Sequence, residues 1–222
     1  MADFPFDIVA FDLDGTLLET HRDLGTAVNH ALTLGGFAAV PIDSAKDLIG
    51  GGAKIMLRTA IDAQGGLDDG RFHELYKAML AHYGEHYADH TTPYPGAIEA
   101  LDELQARGVR LAVVTNKFES FACGVLGALG LEGRFDCVIG GDTLGKGRAK
   151  PAPDMIWHAQ KCCGGGRIAF VGDSTYDMKA GRAAGVPLIA ACYGYCDAGP
   201  DELGADATID SLTELIGVLE RL

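Results

Sequence analysis

From Pro95 onward the chain alternates amphipathic segments with short apolar runs, and this alternation constrains the fold more than any other feature. A helical pattern over 97–107 (Ile98, Leu101, Leu104) leads through Gly108 to VRLAVVT. A second, over 118–129 (Phe121, Ala122, Val125, Leu126, Leu129), leads to FDCVIG. Segment 153–163 leads to RIAFVGD, and 177–184 leads through Gly185 to VPLIAA. A weak strand at Ala207–Ile209 and a helix carrying Leu212, Leu215, Ile216 and Leu219 close the chain. One more apolar run, Ile8-Val9-Ala10-Phe11, stands near the start. Runs this apolar are strands buried on both faces, as in parallel sheets. The rhythm predicts an α/β fold: a doubly wound, Rossmann-like parallel sheet with right-handed crossovers.

Between the first strand and the second, the period changes. Leu24, Ala27, Val28, Ala31, Leu32 and Leu34 recur at helical spacing until Gly35-Gly36. Ile55, Met56, Ala60 and Ile61 mark another helix, and Phe72, Leu75, Tyr76, Met79, Leu80, Tyr83 and Tyr87 mark a longer one. No strand signal falls between Glu19 and Ala88. We therefore expect an α/β core from residues 1–18 and 89–222, with residues 19–88 inserted as an all-helical cap domain. Leu17 to His21 and Ala88 to Pro93 would be the two strands of the hinge. At 222 residues, 48% hydrophobic and 22% charged, the chain can bury a core of this size and remain soluble.

A net charge of −13 argues against binding nucleic acid or an anionic membrane through a basic surface. An anionic substrate stays open, because a local cation inverts the field of a site. No stretch has the unbroken apolar length of a transmembrane helix, and MADFPFD does not read as a secretory leader. Six scattered cysteines without a CxxC pair then suggest free thiols in a reducing, cytoplasmic setting. Cys137 and Cys192 read as buried small hydrophobes.

The polar residues that matter stand where apolar strands end. Phe11 is followed by Asp12, Leu13, Asp14, Gly15 and Thr16. Residues i and i+2 of a strand share a face, so the two carboxylates start on one side and repel unless a cation or a proton intervenes. Strand 110–114 ends in Thr115 and Asn116, and strand 168–171 leads to Asp173 and Ser174, with Asp177 one turn further on. Between them Lys150 precedes Pro151; Lys146 and Arg148 are rivals in the same loop, and the proline favours Lys150. In a parallel sheet the carboxyl ends converge on one crevice. Several carboxylates, a lysine and a hydroxyl suit phosphoryl transfer from an ester. One carboxylate can be the nucleophile, a second can protonate the leaving alcohol, and a hard dication, Mg²⁺, would bridge carboxylate and phosphate.

DxDGT, a strand-final Thr, a Lys before Pro and GDSxxD, in that order, resemble the four motifs of the haloacid-dehalogenase superfamily. The resemblance implies that Asp12 is the nucleophile and Asp14 the general acid/base. Thr115, Asn116 and Lys150 would bind the phosphoryl group. Asp12, the Asp14 carbonyl and Asp173 would hold Mg²⁺. Asp177 would support the metal or orient Lys150, with Gly15, Thr16 and Ser174 in supporting positions. Dehalogenases lack an acid at the place of Asp14, so its presence favours a phosphatase or a phosphomutase. LIGGGAKIMLRTAI, YPGAIEALDELQARGVRLAVVTNK, AKPAPDMI and GDSTYDMKAGRAAG further resemble phosphoglycolate phosphatases and their near relatives, and TNK would place Lys117 beside the site. The expected substrate is a small phosphorylated metabolite, 2-phosphoglycolate first. A sugar-phosphate phosphatase, a β-phosphoglucomutase-like phosphomutase and a non-catalytic metabolite-binding protein are the alternatives. The sequence leaves monomer and homodimer equally open.

Gly50-Gly51-Gly52 is either a plain loop between cap helices or a loop that reaches the substrate. Beside it, Lys54 and Arg58 are candidates for a substrate carboxylate, against the plainer reading of a solvated face. His82, His86 and His90 repeat every four residues, a spacing that zinc sites use; without HExxH a solvated face is the better reading. The tyrosine and methionine stripe of the same helix reads as core packing.

Overall fold

The computed structural model describes residues 4–222; Met1–Asp3, the start of the stretch read for a leader, lie outside the described residues. The chain begins with β1 (Ile8–Phe11) and the two-residue β2 (Leu18–Glu19). Then come α1 (His21–Gly35), a 3₁₀ segment (Ile42–Leu48), α2 (Ala53–Asp62) and α3 (Asp69–His86). The short β3 (Thr92–Pro93) is followed by α4 (Ala97–Ala106), β4 (Arg110–Val114), α5 (Glu119–Ala128) and β5 (Cys137–Ile139). The chain closes with α6 (Asp154–Cys162), β6 (Ile168–Gly172), α7 (Thr175–Ala184), β7 (Leu188–Ala191), α8 (Pro200–Leu203), β8 (Ala207–Ile209) and α9 (Leu215–Leu219).

Six strands form one parallel sheet in the order β5-β4-β1-β6-β7-β8. The chain winds outward from β1 in both directions, so the sheet is doubly wound as the alternation predicts. Alternate residues of β1 feed opposite cores. Val9 and Phe11 pack with α4, α5 and α9, while Ile8 and Ala10 pack with α6, α7 and α8. All four are fully buried. Phe11 contributes about 1.5–3 kcal/mol by that burial alone.

The segment between β2 and β3 is helical and carries an apolar cluster of its own. Leu24, Val28 and Leu32 of α1 meet Met56, Leu57 and Ile61 of α2 and Phe72, Leu75 and Met79 of α3. The two chain crossings pair as an antiparallel ribbon, Leu18 opposite Pro93 and Glu19 opposite Thr92. Asp23 fastens this ribbon to α1. Its side chain is 1% exposed, and it accepts the amides of His90 and Thr91, the Thr91 hydroxyl at 2.8 Å and a contact from His90 Nδ1 at 2.9 Å.

The histidine row differs in part from its expectation. His90 lies beyond the end of α3 and belongs to the Asp23 clamp. His82 stacks on His30 of α1, ring centroids 4.4 Å apart, with His86 at 4.5 Å on its other side. His82 thus packs against α1, while His86 and His90 keep 42% and 56% of their side chains exposed, so the solvated-face reading holds for those two. The six cysteines are free; Cys137 and Cys192 are half-buried rather than buried, and Cys163 is the buried one. Among the described residues no helix is long and apolar enough to cross a membrane.

Candidate active site

Strand register places the motif residues side by side. In the sheet Phe11 stands opposite Val113 of β4 and Val171 of β6. Asp12, Thr115 and Asp173 follow at the carboxyl ends of three adjacent strands, and all three are buried. Ladder hydrogen bonds continue past the strand ends. Asp12 N–H donates to Val171 O at 2.8 Å and Thr115 N–H to Ile139 O at 3.0 Å, so neither residue sits on a loose loop.

Lys150 reaches this cluster from the loop before α6. Its Nζ lies 2.7 Å from Asp12 Oδ1 and donates to Asp177 Oδ1 at 2.6 Å. The other oxygen of Asp177 accepts the Ser174 amide at 3.0 Å and the Ser174 hydroxyl at 2.6 Å, a reciprocal cap at the start of α7. Asp177 therefore has both oxygens committed, one to the helix and one to Lys150. Lys146 does not enter the cluster, and Arg148 pairs with Asp154 at 2.9 Å.

Asp173 is held from two sides. Thr16 Oγ1 donates to its Oδ1 at 3.1 Å, and the Tyr195 amide to its Oδ2 at 2.7 Å. The Tyr195 hydroxyl in turn accepts the amides of Thr20 and His21, at 2.6 and 3.0 Å, where the chain enters α1. Gly15 makes this approach possible. Its φ is +86°, and a Cβ there would stand 2.2 Å from Asp173 Oδ2.

Asp14 takes a different partner from Asp12. Lys117 Nζ donates to both oxygens of Asp14 at 2.9 Å, and its side chain is 4% exposed. Sequence reasoning placed Lys117 only beside the site. One shared cation or proton was expected for the two aspartates; each carboxylate has an ammonium of its own.

Burial sets the electrostatics. It pushes the Asp12 carboxyl up to about 7, with Asp177 adding to the rise and Lys150 opposing it. Burial also raises Asp173 well above the ordinary carboxylate range, reinforced by Asp177 and Asp12. Burial alone would lower Lys150, but Asp12 and Asp177 outweigh it and hold the ammonium above its usual range. Oxygens of Asp12, Asp173 and Asp177 come within 4.8 Å of one another, and Asp12 Oδ1 receives no hydrogen bond although it is buried. Its ion-pair partner is the Lys150 ammonium at 2.7 Å. A crowded, desolvated group of carboxylate oxygens, with one ammonium among three acids, fits a hard divalent cation. The Asp14 carboxylate stands outside this group, on Lys117.

A cavity opens from Asp12 and Asp14 toward the helical segment. Its empty space, the mouth included, is about 660 Å³. Thr115, Asn116 and Lys117 form its floor with the two aspartates. Its roof is the start of α2 (Gly50, Gly52, Ala53, Met56) and one side of α3 (Tyr76, Met79, Leu80, Tyr83). The α3 stripe thus serves two surfaces, because Tyr76 and Leu80 face the cavity while Phe72 and Leu75 fill the helical core. Asn116 ties floor to roof, its Nδ2 donating to Gly50 O and to Lys150 O at 3.1 Å each. Of the other candidates near the glycine cluster, none reaches the cavity. Gly51 packs beside Tyr176 and Ile55, and Lys54 is exposed. Arg58 points the other way: it donates to Leu67 O and Asp69 and lies 3.7 Å from the centroid of the Phe72 ring. Helical register turns its side chain toward α3.

A family profile described as haloacid dehalogenase-like hydrolase matches residues 9–191. A protein named phosphoglycolate phosphatase from Chromobacterium violaceum is 38% identical over 217 residues, covering 96% of each chain. Another of that name from Agrobacterium fabrum is 37% identical over 215 residues, covering 96% of this chain and 91% of the other. A crystal structure described as a predicted phosphoglycolate phosphatase from Haemophilus somnus 129pt superposes with a TM-score of 0.88 at 30% identity, covering 96% of this chain and 97% of that one. With strand-end acids, buried lysine and whole-length similarity in agreement, the chain belongs to the haloacid dehalogenase-like hydrolase family.

Proposed function

We propose that this hydrolase is a Mg²⁺-dependent phosphomonoesterase that converts 2-phosphoglycolate to glycolate and phosphate through an aspartyl-phosphate on Asp12. The observation that carries the reading is the cavity above Asp12 and Asp14, walled by the strand ends on one side and by α2 and α3 on the other. Its roof combines Leu, Met and aromatic side chains with a small number of polar groups, so it holds a small ligand by few contacts. The names of the whole-length relatives point the same way.

Asp12, the Asp14 carbonyl and Asp173 would hold the Mg²⁺, whose positive charge would offset the charge that develops on the phosphoryl group. In the first step an Asp12 oxygen attacks phosphorus, the P–O ester bond breaks, and Asp14 gives its proton to the leaving alkoxide. In the second, Asp14 takes a proton from water, the water oxygen attacks phosphorus, and phosphate leaves Asp12. Lys150 and Thr115 hold the equatorial oxygens while charge spreads over them. Lys150 also aligns Asp12, and Asp177 aligns Lys150. The helical segment acts as a cap: with its hinge at the β2–β3 ribbon, it closes over the substrate and excludes bulk water.

The test is phosphate release from a panel of phosphorylated metabolites in Mg²⁺, ranked by kcat/KM, in the parent and in Asp12→Asn. We expect 2-phosphoglycolate at the head of the panel and no turnover by the folded variant. Full activity in Asp12→Asn would sink the mechanism. Interconversion of sugar-phosphate isomers without free phosphate would mark a mutase instead.

A further inference from the structure

The roof of the cavity holds a buried polar group that the chemistry above does not use. Tyr83 is 2% exposed and lines the cavity; its hydroxyl makes no hydrogen bond of normal length, and the one charge that favours its ionisation is the neighbouring Lys117 ammonium. Its ring is pinned edge-to-face against Phe121 at 5.3 Å, and Lys117 Nζ lies 4.7 Å from its centroid. Burial pushes the phenol up to about 12, so at neutral pH it is an uncharged donor. A buried hydroxyl without a partner costs stability unless something fills the vacancy in the working state.

A second feature faces the same space. Gly52 and Ala53, where α2 begins, line the cavity, and no side chain caps this end. The first helical bond runs from the Met56 amide to Gly52 O, so the amides of Ala53, Lys54 and Ile55 precede it without helical partners. An open helix start favours negative charge. The cavity thus has its carboxylates at Asp12 and Asp14, suited to a cation-bridged phosphate, and above Asp14, where floor meets roof, the Lys117 ammonium, the Tyr83 hydroxyl and the open Ala53 amide.

We propose that Tyr83 Oη and Lys117 Nζ, backed by the open amides of α2, receive the carboxylate of the substrate and so select phosphorylated small acids over phosphorylated alcohols. This rests on the phosphatase reading above and names the group that sets its specificity. It also gives Lys117 a second partner. Both Asp14 oxygens accept from Lys117. A substrate carboxylate within reach of the ammonium competes for it and leaves an Asp14 oxygen open toward the ester.

Tyr83→Phe removes one oxygen and keeps the ring against Phe121. The test compares kcat/KM for 2-phosphoglycolate with that for 2-hydroxyethyl phosphate, in which a hydroxymethyl group replaces the carboxylate. The parent should prefer 2-phosphoglycolate, and the variant should lose about 10- to 100-fold of that preference, mainly through KM, as when a charged group gives up one hydrogen bond. Its melting temperature should match or exceed the parent's, because the hydroxyl it lacks made no hydrogen bond of normal length. A variant that keeps the parent's selectivity overturns the proposal, whether both rates fall together or neither moves. So does a parent that turns over both esters equally well, which would leave the phosphatase reading standing. A parent that releases phosphate from neither ester overturns the phosphatase reading, and this proposal with it.

Discussion

Gly15→Ala tests how rigidly the Asp173 cradle is built. At φ +86° a Cβ meets the following carbonyl, which costs about 1–2 kcal/mol for an L-residue. That cost would also apply at Gly108, whose φ is +77° and which has open space around a new Cβ. Gly15 adds a clash. Its Cβ would stand 2.2 Å from Asp173 Oδ2, 2.8 Å from Tyr195 Cδ2 and 2.9 Å from Asp173 Cγ. Asp173 cannot swing aside without losing the Thr16 hydroxyl and the Tyr195 amide. Overpacking of this kind costs about 1–3 kcal/mol more. We therefore expect Gly15→Ala to lose about 2–5 kcal/mol and Gly108→Ala about 1–2 kcal/mol, measured by equilibrium unfolding in urea. Displacing Asp173 by even about 1 Å should also cost Gly15→Ala on the order of 100-fold in phosphate release. Equal stability losses in the two variants, with turnover retained in Gly15→Ala, would refute the argument that Asp173 has no room to move.

Three further outcomes follow from the same contacts. Asp23→Ala leaves two amides and a hydroxyl of the β2–β3 ribbon without their carboxylate, and should lose about 2–4 kcal/mol by urea unfolding while kcat and KM shift together, as expected for a hinge. Mg²⁺ at roughly 100 times its Kd should stabilise the parent by about 2.7 kcal/mol in thermal unfolding, and Asp173→Asn should abolish most of that gain; an unchanged gain would place the cation elsewhere. Arg58→Ala should lose about 1 kcal/mol through its stacking on Phe72 with KM unaltered, and a raised KM for 2-phosphoglycolate would return Arg58 to the site.

Much of the fold and the floor of the site was legible for one reason: each part depends on local chemistry repeated at the end of a strand. Period and glycine stops locate the strands of the sheet, and right-handed crossovers then bring Asp12, Thr115 and Asp173 together without any knowledge of packing. Lys150 was legible through Pro151. What sequence could not supply are contacts between elements that share no local signal. Asp23 meets Thr91 across 68 residues, and Tyr195 meets Thr20 across 175. Arg58 shows the limit from the other side. Its position beside a glycine cluster leaves a solvated face and the cavity both open, but α2 turns it toward Phe72, and the roof is built from backbone and from side chains of α3, Tyr83 among them.

The two aspartates show how much a single turn decides. On an ideal strand Asp12 and Asp14 would share a face and a cation. The strand ends at Phe11, Leu13 stays buried in the core between them, and Gly15 bends the chain. From there the carboxylates diverge, Asp12 to Lys150 and Asp14 to Lys117. Lys150 is itself tethered by Asp177, whose second oxygen is spent on Ser174, so its position is fixed from α7. Lys117 has no second carboxylate among the ion pairs of the described residues and rests against the Tyr83 ring of the helical segment. One ammonium is therefore anchored within the core and the other stands where the core meets the helices. A group that must stay aligned through the reaction belongs on the first. A group that exchanges partners when substrate arrives belongs on the second.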